Sequence, residues 1–155
     1  MIYKIICVGR IKEQYLNDKI SEYEKKINGR DRVVIVQVDD EKIPKNSSET
    51  INRKIVEVEC EKIEKHIEND EYVIALCIEG KQCSSSELGQ IIDRAGDKGY
   101  DKITFIIGGS LGLTDKLIRK ADFKLSFSAM TFPHQLMRVM LLDAICSNRL
   151  FIYDK

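Results

Sequence analysis

The sequence predicts one α/β domain spanning residues 1–155, a mainly parallel sheet flanked by helices. Three observations lead there. Short β-branched or apolar runs alternate with amphipathic stretches of helical period along most of the chain. No repeat, linker or low-complexity segment interrupts that alternation. The run 103–107 has no polar member after Thr104, as expected of a strand covered on both faces in a parallel sheet.

Each element follows from local pattern. Ile2–Val8 is a buried strand closed by Gly9. Over 13–27, Leu16, Ile20, Tyr23 and Ile27 recur at helical spacing, and Gly29 is a stop signal. Residues 33–38 form a β-branched strand, and 39–48, polar and containing Pro44, form a loop. A long helix is predicted over 49–67, with Ile51, Ile55, Val58, Ile63 and Ile67 on its apolar side and Glu61–Lys65 paired on its wet side. Strand 72–78 ends at Glu79 and Gly80. Ser84 and Glu87 form a capping box for a helix that carries Leu88, Ile91, Ile92 and Ala95 and breaks at Gly96 and Gly99. After strand 103–107 come Gly108-Gly109-Ser110-Leu111-Gly112, a short helix over 114–120, a strand over 123–127 and a loop over 128–132. Pro133, at a favoured first helical position, opens a last helix reaching about residue 146.

Composition narrows the function. A chain of 155 residues buries roughly 70% of its unfolded surface, enough for a core without staples. With 43% hydrophobic and 32% charged residues it is neither disordered nor fibrous, and no apolar run approaches the roughly 20 residues of a membrane span. The apolar start at residues 1–8 lacks the basic flank and small-residue cleavage site of a secretion signal, so the expected location is the cytoplasm. Five cysteines without a CxxC pair suit free thiols, and two histidines far apart suit no metal centre. Lysine plus arginine equals aspartate plus glutamate at 25 each. Zero net charge argues against autonomous nucleic-acid binding, and less against acting on a structured RNA–protein particle.

In open parallel sheets, ligands bind outside the carboxyl ends of the strands. Three such ends here are rich in small residues, at 76–80, 107–110 and 127–134, which lets backbone groups approach a ligand. The GGSLG run has two readings, a phosphate loop or a tight strand-to-helix turn. The turn is favoured, because neither G-x-G-x-x-G spacing nor a P-loop lysine is present. There is no G-x-S-x-G, and Ser110 and Ser128 have no obvious histidine partner for nucleophilic hydrolysis. The last helix is apolar nearly all round, interrupted by Arg138 and Asp143, so it is buried either in the fold or against a second copy. His134 is a base, a substrate contact or a packing histidine, whereas His66 sits on a charged helix and reads as solvated.

The segments 105–113 (FIIGGSLGL) and 125–139 (LSFSAMTFPHQLMRV) resemble the single-domain SPOUT methyltransferases. They are most similar to the bacterial 23S rRNA pseudouridine N3-methyltransferase family. Val8-Gly9, Glu22-Tyr23, Asp40-Glu41-Lys42 and Gly80-Lys81 also look like that family, and the resemblance runs over about 1–143. It implies a C-terminal trefoil knot, an exception to the unknotted rule. It also implies S-adenosylmethionine held mostly by backbone, while a homodimer is expected from the nearly all-apolar last helix. Carried over by position, the cofactor contacts are Leu76, Gly108, Phe127, Ser128, Ala129, Met130, Thr131 and Phe132. The implied substrate is a pseudouridine of 23S rRNA presented by the ribosome, with neither metal nor membrane involved.

Methylating a uracil N3 requires a group that accepts or displaces its proton and an in-line alignment of the reactants. The resemblance places this work in a C-terminal tail with a Tyr-Arg pair and a terminal Tyr-His. Here Cys146 and Ser147 stand where the pair is expected, and Asp154 where the histidine is expected. Arg149 remains as the tail's arginine. The catalytic candidates are therefore His134, Arg138 and Tyr153. An active methyltransferase, a cofactor-binding dimer that has lost catalysis, and an unrelated nucleotide-binding module are the competing readings.

Overall fold

A computed structural model describes the backbone of residues 1–153 and the side chains of residues 1–148. Strands and helices alternate as β1 (Ile2–Val8), α1 (Gln14–Ile27), β2 (Arg32–Val38), α2 (Glu49–Glu64), β3 (Tyr72–Gln82), α3 (Ser85–Asp97), β4 (Lys102–Ile107), α4 (Asp115–Lys120), β5 (Phe123–Ser126) and α5 (His134–Tyr153). The sheet order is β2-β1-β4-β3-β5, and every pairing is parallel. Among the described residues no helix is long and apolar enough to cross a membrane.

Strand alternation sorts the core into two layers. Tyr3, Ile5, Cys7, Ile74, Leu76, Ile103, Phe105 and Ile107 face α1, α3 and α5. Ile6, Val8, Val73, Ala75 and Ile106 face α2 and α4. The two-residue period of a strand produces this split, since successive side chains leave on opposite faces. On the α2 side, Lys4 and Thr104 are cross-strand neighbours in register and share one buried partner. Glu71 accepts from Lys4 Nζ at 2.7 Å and from Thr104 Oγ1 at 2.8 Å, and the backbone carbonyl of His66 also accepts from Lys4.

Several local expectations give way to tertiary contacts. β3 does not stop at Glu79: it bulges between Leu76 and Lys81, then pairs again with β5 through Lys81 and Gln82. Gly80 crosses β5 so closely that an added Cβ would lie 2.7–2.8 Å from the Lys124 and Leu125 backbone. α2 ends at Glu64, and its buried face is Ile55, Glu59, Cys60 and Ile63. Ile51 remains 42% exposed. In place of the expected Glu61–Lys65 pair, the ion pairs of α2 among the described residues reach other elements, Lys62 with Glu41 at 2.8 Å and Glu64 with Lys120. α3 runs through Gly96 to Asp97 before Gly99, with φ +99°, ends the turn. Its capping box is complete, Glu87 N donating to Ser84 Oγ at 3.1 Å and Ser84 N to Glu87 at 2.7 Å.

The last helix departs most from expectation. Pro133 precedes it, its carbonyl accepting the first helical bond from Met137 N at 3.1 Å, and the helix continues to Tyr153 rather than to 146. Leu141, Leu142, Ala144, Ile145 and Cys146 are buried within this one chain. The apolar girth of α5 is therefore largely spent on packing against the chain's own α1 and α3. Tyr23 of α1 donates to Asp143 Oδ1 at 2.7 Å, tying the two helices together.

A candidate active site at the strand ends

The connection after β1 leaves through α1 on one face of the sheet, whereas the connection after the adjacent β4 leaves through α4 on the other. Such divergence opens a crevice at the carboxyl ends of parallel strands. A cleft of about 830 Å³ occupies that edge, lined by the ends of β3, β4 and β5 and the start of α5. That is within the usual range for a small-molecule site.

Glycines shape the cleft's floor. A Cβ on Gly108 would lie 2.6 Å from the carbonyl carbon and oxygen of Gly112. Gly112 has φ +83°, and its N–H donates to Gly109 O at 3.0 Å. The GGSLG run is thus a closed turn in which two backbones touch. On the facing wall, Ser126 Oγ donates to Ser128 O and Met130 N donates to Ser128 Oγ, each at 3.0 Å. These bonds curl 126–130 across the cleft and leave other backbone polar groups for a ligand.

The structure brings together most of the residues expected to hold a cofactor. Leu76, Gly108, Phe127, Ser128, Met130, Thr131 and Phe132 line the cleft; Ala129 is exposed and does not. Leu111, Leu113, Ile118, Leu125 and Met137 complete its apolar wall; all but Ile118 lie in the two segments that carry the family resemblance, though none was expected to touch the cofactor. Ile118 had no signal beyond its proximity to the GGSLG loop. Glu79 is the one carboxylate among the lining residues. In the sequence it read only as a strand stop.

His134 lies at one end of the cleft, its Nε2 3.8 Å from where a Cβ on Gly9 would stand. Asp40 approaches the same point. Burial, and then the positive charge of Arg138, push the imidazole below its ordinary value, with Asp40 opposing. Arg138 itself does not line the cleft. It is 1% exposed, and its Nη2 donates to Val8 O at 2.8 Å and Gly9 O at 2.9 Å. The side chains of Arg149 and Tyr153 lie outside the described residues, as does the whole of Asp154. Behind the GGSLG turn, Glu59 is buried, accepting from Glu41 N at 3.0 Å. Burial raises its carboxyl above the usual range.

With this geometry in hand, residues 1–148 match the family described as "Predicted SPOUT methyltransferase". The chain belongs to the SPOUT methyltransferase family. It is 48% identical over 141 residues to ribosomal RNA large subunit methyltransferase H of Bifidobacterium animalis subsp. lactis, covering 91% of this chain and 89% of that protein. It is 49% identical over 145 residues to the protein of the same name in Streptococcus uberis, covering 94% and 91%. The fold is shared with a "probable methylase family protein" from Haemophilus influenzae Rd KW20, at TM-score 0.57 and 14% identity, over 99% of this chain and 68% of that one. A "probable methyltransferase" from Bordetella pertussis Tohama I aligns at TM-score 0.53 and 11% identity, over 95% of each chain.

Proposed function

We propose that this SPOUT family member transfers a methyl group from S-adenosylmethionine to N3 of a pseudouridine in 23S rRNA, acting on the ribosome in the cytoplasm as a homodimer. The observation that carries the reading is the cleft itself, built at the strand ends from seven of the eight positions that the family resemblance names. The close relatives named ribosomal RNA large subunit methyltransferase H support the substrate class.

The residues present fit the cofactor. Apolar walls from Leu111, Leu113 and Leu125 suit a nucleobase, and the backbone of the 126–132 loop suits its polar edge. Glu79 offers a negative charge to a sulfonium or ammonium group. When bound, the cofactor supplies an electrophilic methyl on a sulfonium. His134, whose imidazole burial pushes below its ordinary value toward the neutral form, presents a ring nitrogen able to accept the N3 proton. Tyr153 and Arg149 are proposed contacts to the substrate. The trefoil knot belongs to the same reading.

For the homodimer, the supporting observation is exposed apolar surface beside the cleft. Ile78 is 53%, Met130 71% and Leu136 37% exposed. The expected occupant of that rim is a second copy, which would also close the cleft.

A second reading is a cofactor-binding dimer without catalysis. It is favoured by Cys146, which is buried where a substrate-contacting tyrosine is expected. Tritiated methyl transfer from S-adenosylmethionine to ribosomes lacking the modification separates the two. Incorporation at one pseudouridine supports the enzyme, and binding by calorimetry without incorporation supports the second reading. Tight ATP binding with no response to S-adenosylmethionine overturns both.

A further inference from the structure

Arg138 is a buried cation that stability alone does not explain. It makes no ion pair among the described residues, and its Nε and Nη1 are buried without a hydrogen-bond partner. Burying a charge in this way is costly, and an apolar side chain of similar volume is often the more stable choice. What the guanidinium does accomplish is local. Its Nη2 binds the last two carbonyls at the end of β1, those of Val8 and Gly9, while Gly9 N donates to Val38 O at 2.8 Å. Gly9 adopts φ +85°, a conformation that suits glycine, and so turns the chain away under the His134 ring. His134 and Arg138 are four residues apart on α5 and therefore share a helix face.

We propose that Arg138 is a positioning residue, whose guanidinium clamps the end of β1 to α5 and so seats His134 against Gly9 at the mouth of the cofactor cleft. It acts through His134 and does not touch the reacting atoms. The charged groups facing the imidazole are Arg138 from its own helix and Asp40 from the loop after β2. The clamp rests on the proposed proton-accepting role of His134 only for its effect on rate, not for its effect on geometry.

The chain has two histidines, so proton NMR of the full-length protein resolves His134 with His66 as an internal control. Arg138→Gln keeps an N–H that can donate to these carbonyls but removes the charge; Arg138→Lys keeps the charge. In Arg138→Gln the His134 titration should move to higher pH, its ring contact with the Gly9 α-protons should weaken, and His66 should not change. Arg138→Lys should restore the titration toward its native position. Single-turnover methyl transfer should fall on the order of 100-fold in Arg138→Gln. A folded Arg138→Gln with native His134 titration and native Gly9 contact overturns the clamp. A changed titration and contact with a native rate supports the clamp and counts against His134 as the proton acceptor. An Arg138→Lys protein whose His134 behaves as in Arg138→Gln also counts against the clamp as stated.

Discussion

Gly108 and Gly112 meet backbone to backbone, with a Cβ on the first falling 2.6 Å from the carbonyl of the second. The contact closes the turn that forms the floor of the cleft, so the glycine is required by the turn before any ligand arrives. Gly108→Ala should therefore cost roughly 1–3 kcal/mol of stability through overpacking. It should also weaken S-adenosylmethionine binding, because the displaced turn carries Leu111 and Leu113. Urea denaturation and calorimetry on the same sample check both. A variant of native stability that still loses binding would mean that the methyl group meets the ligand and not Gly112.

The Lys4–Glu71 pair should behave as a buried one. Its Glu71 side chain is fully covered, so Lys4→Met removes the nearer of its two cations and leaves Lys102 at 3.5 Å, at a cost of roughly 3 kcal/mol. Burial works to raise the Glu71 pKa, but the bonds from Lys4, Thr104 and Glu68 N outweigh it and hold the group below its ordinary 4.5. A depressed carboxylate contributes stability that is complete above the unfolded value and is lost as pH falls through the folded one. Wild type should therefore lose stability more steeply than Glu71→Gln below about pH 4.5, as read by denaturant midpoints across pH.

Tyr23 and Asp143 give the opposite pH signature. The bond to Asp143, followed by burial, raises the phenol to about 12. That contribution is complete below pH 10 and disappears as pH rises through 12. Tyr23→Phe should lower stability by about 1 kcal/mol at pH 7. The difference from wild type should vanish in strong base.

Helix α5 separates folding from association. Leu141 is fully buried inside the chain, so Leu141→Glu should unfold the protein. Leu136 is 37% exposed beside the cleft, so Leu136→Glu should leave the fold intact and dissociate the proposed dimer. Sedimentation at micromolar concentration with far-ultraviolet dichroism reads both. A native-size dimer in Leu136→Glu would place the interface elsewhere.

The tail offers a direct gain-of-function test. Neither Ser147 nor an ionised Asp154 can pair with phosphate, whereas arginine and histidine can. Combining Ser147→Arg with Asp154→His should raise single-turnover methyl transfer about tenfold or more while leaving cofactor affinity unchanged. Equal rates would assign the substrate contacts to Arg149 or Tyr153.

The order of strands and helices, the capping box at Ser84 and the three small-residue loops were legible in the chain itself. Hydrophobic period, caps and glycine punctuation are local properties that survive without knowledge of the fold. The pattern placed three loops at the strand ends, where a parallel sheet gathers its ligand contacts, and the family resemblance named seven of the residues that line the cleft there. Tertiary structure alone decided the rest. The bulge that carries β3 past Glu79 exists because β5 pairs on both sides of it. Glu59 lies on the buried face of α2 because the GGSLG turn and Glu41 cover it. Arg138 meets Val8 across 130 residues, and Tyr23 meets Asp143 across 120. No local pattern encodes contacts at such separations; they arise only when the sheet places β1 beside β4 and packs α5 across the helices that cover it, so that side chains distant in sequence share one dry environment.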